Sequence, residues 1–318
     1  MNEGRIRRLG EELDELEPAI LTVATNPQAL LEELAYALRP PIHERRVPSY
    51  GAFVEPSTDL PRWADAAGFE VSRRKVDDLA DAVVRRLADG IVSWVVRGSA
   101  GVNDLVVFDR SIGSERDLSI LAETTGAAIV QRHPSGVVRA VGAFGVLRYS
   151  GIDWQLEPPV ERWLDLERCF LGSLDSGVFD RLLRFAVHDV AARQVGSTFV
   201  IAPGGRLLPT AERRYGTPPE FRIKRPADLA PLYHILGQLD GAAVFDETGT
   251  LRHLGVHLVP SAQAEADISP YRGTRHTSAL RYSYDDPSAT LIVISEDGPV
   301  SVLKRGQRLG QSTTSADE

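Results

Sequence analysis

Four short apolar runs in the C-terminal half, residues 195–201, 242–246, 251–258 and 289–295, set the strongest constraint on what this chain can fold into. Each is too short for a stable helix and is bounded by turn formers such as Glu247-Thr248-Gly249, so each reads as a strand. A strand must bury its apolar side against another layer. Residues 178–194 supply one: Phe179, Leu182, Leu183, Ala186, Val187 and Val190 recur at helical spacing and form one broad apolar face. The expectation is an α/β domain with this helix packed on a sheet.

Two polar motifs sit between the strands. The first, Gly273-Thr274-Arg275-His276-Thr277-Ser278-Ala279, holds what a polyphosphate requires: a glycine permitting close backbone approach, hydroxyls, a planar guanidinium fork and an imidazole. Residues 272–284 contain no proline, and Ala279, Leu280, Tyr282 and Tyr284 give a partly apolar face, so a helix is predicted to start near Thr274. A helix start offers unpaired amides and the positive end of its dipole to an anion. The competing explanation is an ordinary N-terminal cap with Arg275 and His276 solvated. The second motif, Asp240-Gly241-Ala242, puts a carboxylate at the edge of a strand, where it can hold a divalent metal, followed by a glycine that keeps a side chain out of a ligand's way. An isolated Asp-Gly is more often a turn.

In this order, and with these residues, the region from about residue 165 to about residue 305 resembles the diadenylate cyclase domain, which condenses two ATP molecules into cyclic di-AMP. The resemblance rests on Asp240-Gly241-Ala242, on Gly273-Thr274-Arg275-His276, on Ser295-Glu296 closing the next strand, and on the strand-forming stretch 195–201. It implies a mixed β-sheet flanked by helices. It also implies that Asp240 ligates Mg2+ or Mn2+ and helps activate a 3′-hydroxyl, with Arg275 and His276 as its catalytic companions. The nucleotide would lie against Gly241, Ala242, Leu258, Gly273, Thr274, Arg275, His276, Thr277, Ser278, Ser295 and Glu296, with Leu258 on the adenine and Ser295 at the distal phosphates.

The chain departs from the family pattern at two places. Thr277 stands where the best-known members carry a second arginine, and Leu239 stands where some relatives place a metal-binding histidine. A charged hydrogen bond contributes about 1.5–3 kcal/mol against roughly 1 for a neutral one, so Thr277 lowers the expected hold on the phosphates. Attack of a 3′-hydroxyl on an α-phosphate expels pyrophosphate and needs cations at the attacked and leaving oxygens; Arg275 and the metal are the candidates. One motif set supplies one ATP site, so two chains are expected to face each other across a two-fold axis as a homodimer or larger assembly.

Composition excludes some alternatives. A net charge of −8 argues against a nucleic-acid partner, and no segment offers the ~20 apolar residues that a membrane helix requires. The only cysteine, Cys169, excludes an intrachain disulfide and a multi-cysteine zinc site, and it reads as a small buried side chain. A cytoplasmic chain is expected.

The N-terminal half, residues 1–155, reads as a smaller α/β or α+β accessory domain with a regulatory or sensor role and an unknown ligand or partner. Asn26-Pro27 followed by Ala29, Leu30, Leu31, Leu34 and Leu38 predicts a capped helix, and residues 76–88 predict another with Leu79, Val83, Val84 and Leu87 on one side. Strands are expected at 91–96 and 105–108, a helix near 115–124, and a strand-turn-strand over 127–147 with His133-Pro134-Ser135-Gly136 as a hairpin turn. Gly98-Ser99-Ala100-Gly101 reads as a turn rather than a phosphate cradle. Glu157-Pro158-Pro159 interrupts the pattern, which puts the catalytic domain at 160–306, with a helix over 163–170, and a disordered polar tail at 307–318. Residues 203–226 read as a basic loop, with Arg206, Arg213, Arg214, Arg222, Lys224 and Arg225 against Glu212 and Glu220. Two functions stay open: a diadenylate cyclase, favoured by Asp240 with Arg275 and His276, or a non-catalytic module that binds ATP or cyclic di-AMP, favoured by Thr277.

Overall fold

The computed structural model describes residues 3–42, 44–57, 70–76, 79–98, 101–164, 176–271, 273–296 and 299–312. Contacts divide the chain into two compact units, Met1–Pro159 and Val160–Glu318. Cys169, most of the helix expected over 163–170, the centre of the Gly98–Gly101 segment and residues 313–318 lie outside the described residues.

In the N-terminal unit, the described strands are β1 (Tyr50–Val54), β2 (Val71–Lys75), β3 (Ser93–Gly98), β4 (Gly101–Phe108), β5 (Ala128–Arg132), β6 (Val138–Gly142), β7 (Gly145–Tyr149) and β8 (Trp154–Glu157). They form one sheet in the order β2-β4-β3-β1-β5-β6-β7-β8, parallel between β1 and β3 and otherwise antiparallel. Alternation along the strands makes two cores. Ala52, Val95, Val130, Ala140 and Leu147 face the helices Glu3–Leu16 and Pro27–Leu38, while Phe53, Trp94, Ile129, Val141 and Val146 face the helix Glu115–Thr125. The Asn26 side chain caps the helix Pro27–Leu38 by accepting from the Ala29 amide.

The C-terminal unit carries β9 (Ser197–Ile201), β10 (Glu212–Arg213), β11 (Ala242–Phe245), β12 (Leu251–His257), β13 (Thr290–Ile294), β14 (Val300–Lys304) and β15 (Gln307–Gln311). Their order is β10-β12-β11-β9-β13-β14-β15, with β9 and β11 parallel and the other neighbours antiparallel. This sheet is also covered on both faces. Phe199, Ile201, Ala243, Phe245, Ile292 and Ile294 pack with Phe179, Leu182, Leu183 and Val187. The intervening Val200, Ala242, Val244, Leu291 and Val293 pack with Ala279 and Tyr282 of the helix Thr274–Asp285. The stretch predicted as helical at 178–194 continues from an α-helix, Ser176–Phe185, into a π-turn at Ala186–Val190 and a 3-10 turn at Ala191–Arg193.

Three expectations are corrected. Residues 307–311 form strand β15 rather than a disordered tail, because Arg305 and Gly306 both take positive φ (50° and 71°) and close a two-residue hairpin between Lys304 and Gln307. The helix in the 76–88 region is short, Asp81–Leu87, and turns Val84 and Arg85 inward, leaving Leu79, Val83 and Leu87 exposed. A buried carboxylate, Glu33, draws Arg85 in through two hydrogen bonds of 3.1 and 2.6 Å and thereby sets the helix's rotation. The 203–226 segment is partly built into the sheet: Glu212–Arg213 pairs with β12, and Ile223 is buried with its amide on the Gly249 carbonyl.

Candidate active site

Thr198 and Ala242 are register partners on the parallel strands β9 and β11, so the N-terminal ends of both strands lie side by side. The helix Thr274–Asp285 covers the same face of the sheet through Ala279 and Tyr282. A cavity of about 440 Å³ opens among these elements. From the strand side it gathers Gly241, Ala242 and Leu258, from the helix Gly273, Thr274, Arg275, His276 and Ser278, and from the end of β13 Ser295. Nine of the residues that the sequence nominated therefore share one wall-to-wall space.

Apolar side chains of Ala242, Val256 and Leu258 make one side of it. The other side is a helix start whose N-cap, Gly273, provides no side-chain cap, so the helix's first turn is left to be satisfied by something else. Arg275 stands 38% exposed, and its guanidinium lies 3.5 Å from the Glu296 carboxylate. His276 is nearly buried and meets Tyr271 edge to face, with ring centroids 6.0 Å apart. An apolar slot beside an uncapped helix start and an arginine suits a ligand with a flat apolar part and an anionic part.

Asp240, Thr277 and Glu296 do not line the cavity. Asp240 immediately precedes Gly241 and is exposed, and its carboxylate has no hydrogen bond or ion pair among the described residues. Glu296 points to Arg275. The Thr277 hydroxyl is engaged locally: it accepts from the Tyr271 amide at 3.0 Å, and its one proton is shared between the carbonyls of Tyr271 (2.8 Å) and Gly273 (2.9 Å). Thr277 thus fastens the loop before the helix to the helix's first turn.

Gly241 serves a purpose that the motif alone does not reveal. Its φ is +100°, and a Cβ there would stand 2.7 Å from the Gly255 carbonyl carbon on β12. Backbone proximity between β11 and β12 excludes a side chain.

Thr198, Val256 and His257 line the cavity without having been nominated. Alternation along β12 places Val256 on the same face as Leu258 and could have found it. Thr198 depends on the pairing of β9 with β11, which no local pattern encodes. His257 sits at the strand end, 3.5 Å from the Glu212 carboxylate.

No cluster of three or more metal-binding side chains occurs among the described residues. A divalent ion at the edge of the cavity would therefore have Asp240 as its protein carboxylate and fill its shell with phosphate oxygens and water. Mg2+ and Mn2+ accept such a donor set, so the residues present fit the expected ion.

Comparisons with known proteins divide the chain in the same region. Residues 184–308 match the family described as DisA bacterial checkpoint controller nucleotide-binding, and residues 7–157 match the family described as probable sensor domain DACNK. Among solved structures, a hypothetical membrane spanning protein from Bacillus cereus is 19% identical over 46% of this chain and 68% of its own, with a TM-score of 0.35. A double mutant of DacA from Staphylococcus aureus is 20% identical over 43% of this chain and 87% of its own, with a TM-score of 0.29. No curated protein matches the chain. No helix among the described residues is long and apolar enough to cross a membrane.

Proposed function

We propose, from a C-terminal half that is a domain of the diadenylate cyclase family, that this chain condenses two ATP molecules into cyclic di-AMP and two pyrophosphates. The observation that carries the proposal is the single cavity joining Gly241 and Ala242 to the uncapped helix start at Gly273–His276, with Asp240 at its edge. The adenine rests against Val256 and Leu258, and the phosphates lie toward Thr274, Arg275 and Ser295. Arg275 offsets the charge that develops as the α-phosphate is attacked. Asp240 would hold a Mg2+ or Mn2+ ion, which would supply charge neutralisation at the reacting oxygens. Asp240 would act chiefly as that ion's protein ligand.

One cavity per chain receives one ATP, and each ATP must both donate a 3′-hydroxyl and accept one. The reaction therefore requires two chains arranged face to face, and activity depends on assembly. The N-terminal half, which matches a probable sensor family, regulates that activity.

The test is to incubate pure full-length protein with ATP and Mg2+ or Mn2+ and to look for cyclic di-AMP by mass spectrometry. Product formation is expected, and Asp240→Asn should abolish it. Absence of product from a folded, assembled, ATP-binding preparation would overturn the cyclase, and full activity of Asp240→Asn would overturn the role given to that residue. The second reading, a module that binds ATP or cyclic di-AMP without turnover, is favoured by Thr277, whose hydroxyl is committed to Tyr271 and Gly273 and adds no cation to the cavity.

A further inference from the structure

A second cavity, of about 590 Å³, lies wholly within the N-terminal unit, between the helix Glu3–Leu16, the end of the helix Pro27–Leu38 and the β7–β8 hairpin. Three arginines line it. Arg5 and Arg8 are three residues apart on the first helix and so share a face. Arg39 is the C-cap of the second helix. Opposite them, Tyr149 and Trp154 are register partners across the hairpin, with ring centroids 4.9 Å apart, and buried Leu9 adds an apolar surface.

The charge balance is the informative part. Glu12 is the only acid in the cavity wall, so three guanidinium groups face one carboxylate in a chain whose net charge is −8. Among the described residues, the side chains of Arg5, Arg8 and Arg39 form no ion pair, whereas Arg7 on the same helix pairs with Glu11. Like charges gathered in one concavity repel each other, and an anion removes that repulsion. Guanidinium forks match the planar oxygen pairs of carboxylates, sulfonates and phosphates. The tilted aromatic pair presents ring surface to a flat ligand, and an aromatic or heterocyclic ring is the complement of such a surface.

We propose that this cavity binds a small anion carrying a planar ring, with the acidic group held by Arg5, Arg8 and Arg39 and the ring set against Tyr149 and Trp154. Such a ligand would bridge the two helices and the β7–β8 hairpin, which gives the N-terminal unit a way to respond to a metabolite. The assignment stands independently of the ATP cavity, which is made from residues of the other unit.

The experiment is isothermal titration calorimetry on the full-length chain with three probes: 1-naphthalenesulfonate, which combines ring and charge; 1-naphthalenemethanol, the ring without charge; and inorganic sulfate, the charge without ring. The expected result is saturable one-to-one binding of the sulfonate, about tenfold or more tighter than either partial probe and weakening as salt is raised. Arg8→Ala and Arg39→Ala remove exposed side chains and should leave the melting temperature unchanged while each weakens binding about tenfold, the loss expected for one charge-assisted hydrogen bond. Trp154→Ala should weaken it too, and Arg275→Ala in the ATP cavity should not. The proposal is overturned by a sulfonate that does not saturate, by arginine variants that bind like the parent protein, or by loss of binding on Arg275→Ala.

Discussion

The Arg275 guanidinium lies 3.5 Å from the Glu296 carboxylate, across the entrance to β9, where Gly196 leaves room for it: a Cβ on Gly196 would come within 2.4 Å of the guanidinium nitrogen. Arg275 is thus held by a carboxylate at the end of a neighbouring strand. In the proposed function, a phosphate would have to compete with that carboxylate. The pair is substantially exposed, so it contributes only about 0.2–1 kcal/mol.

Glu296→Gln should therefore tighten ATP binding by a modest factor, roughly 1.5- to 5-fold, and Arg275→Ala should weaken it by about tenfold or more. Equilibrium titration with ATP in both variants checks this. Weaker ATP binding in Glu296→Gln would show that the carboxylate supports the ligand instead of competing with it.

Gly241→Ala should destabilise the C-terminal unit by about 1–3 kcal/mol and disrupt the cavity, because the new Cβ meets the Gly255 backbone and the φ of +100° is unfavourable for any L side chain. Thermal denaturation together with ATP titration measures both effects. A stable variant that binds ATP normally would contradict the close approach of β11 and β12.

Thr277→Val should loosen the loop that ends at Gly273, since it removes the hydroxyl joining Tyr271 to the helix. ATP affinity should fall several-fold, by about the 1 kcal/mol of one neutral hydrogen bond, and Thr277→Ser should restore it. If serine fails to rescue, the methyl group rather than the hydroxyl matters.

Glu33 is fully buried and accepts from Tyr50, Arg85 and Arg97. Burial alone would raise its pKa, but the Arg85 hydrogen bond and charge, with Tyr50 and Arg97, hold it below the usual carboxylate range. Glu33→Gln leaves the buried Arg85 without its carboxylate, while Arg97 keeps Glu32, and should cost about 3–5 kcal/mol. Chemical denaturation followed by circular dichroism tests this, and a loss under 1 kcal/mol, about the worth of a surface pair, would refute it.

Asp246 follows β11 and gathers the Thr248 hydroxyl and amide, the Thr250 amide and Arg252. Burial pushes its pKa up, but these donors outweigh it and leave the carboxyl below its ordinary value. A lowered folded-state pKa means stability that is fully present above the unfolded value of about 3.9 and is lost as pH falls through the folded value. The difference in melting temperature between the parent protein and Asp246→Asn should thus be largest near neutral pH and shrink below about pH 4. A difference that stays constant down to pH 3 or so would show that the charge is not what stabilises the turn.

Much of the cavity wall could be read from the chain because its residues are clustered. Gly273, Thr274, Arg275 and His276 are consecutive, and a helix start at Thr274 follows from local composition. The same local logic found the Asn26 cap and the face of Phe179, Leu182 and Val187. It misplaced Leu79, Val83 and Leu87, whose spacing suits a buried face, because the helix is rotated by Arg85 reaching Glu33, fifty-two residues away. It missed the helix Pro226–Leu236, which carries Pro231 inside it, a residue that ordinarily breaks helices.

By itself, then, the sequence determined which segments alternate, which carry side chains of the kind that suit a phosphate, and where the helix that presents Arg275 begins, since periodicity, proline and glycine act over a few residues. Tertiary structure decided that Thr198 stands beside Ala242, that Thr277 turns to Tyr271 while Ser278 turns to the cavity, and that Arg275 is met by Glu296. Those outcomes depend on strand register and on which residues converge from distant parts of the chain, and register is set by the packing of whole faces rather than by any one segment.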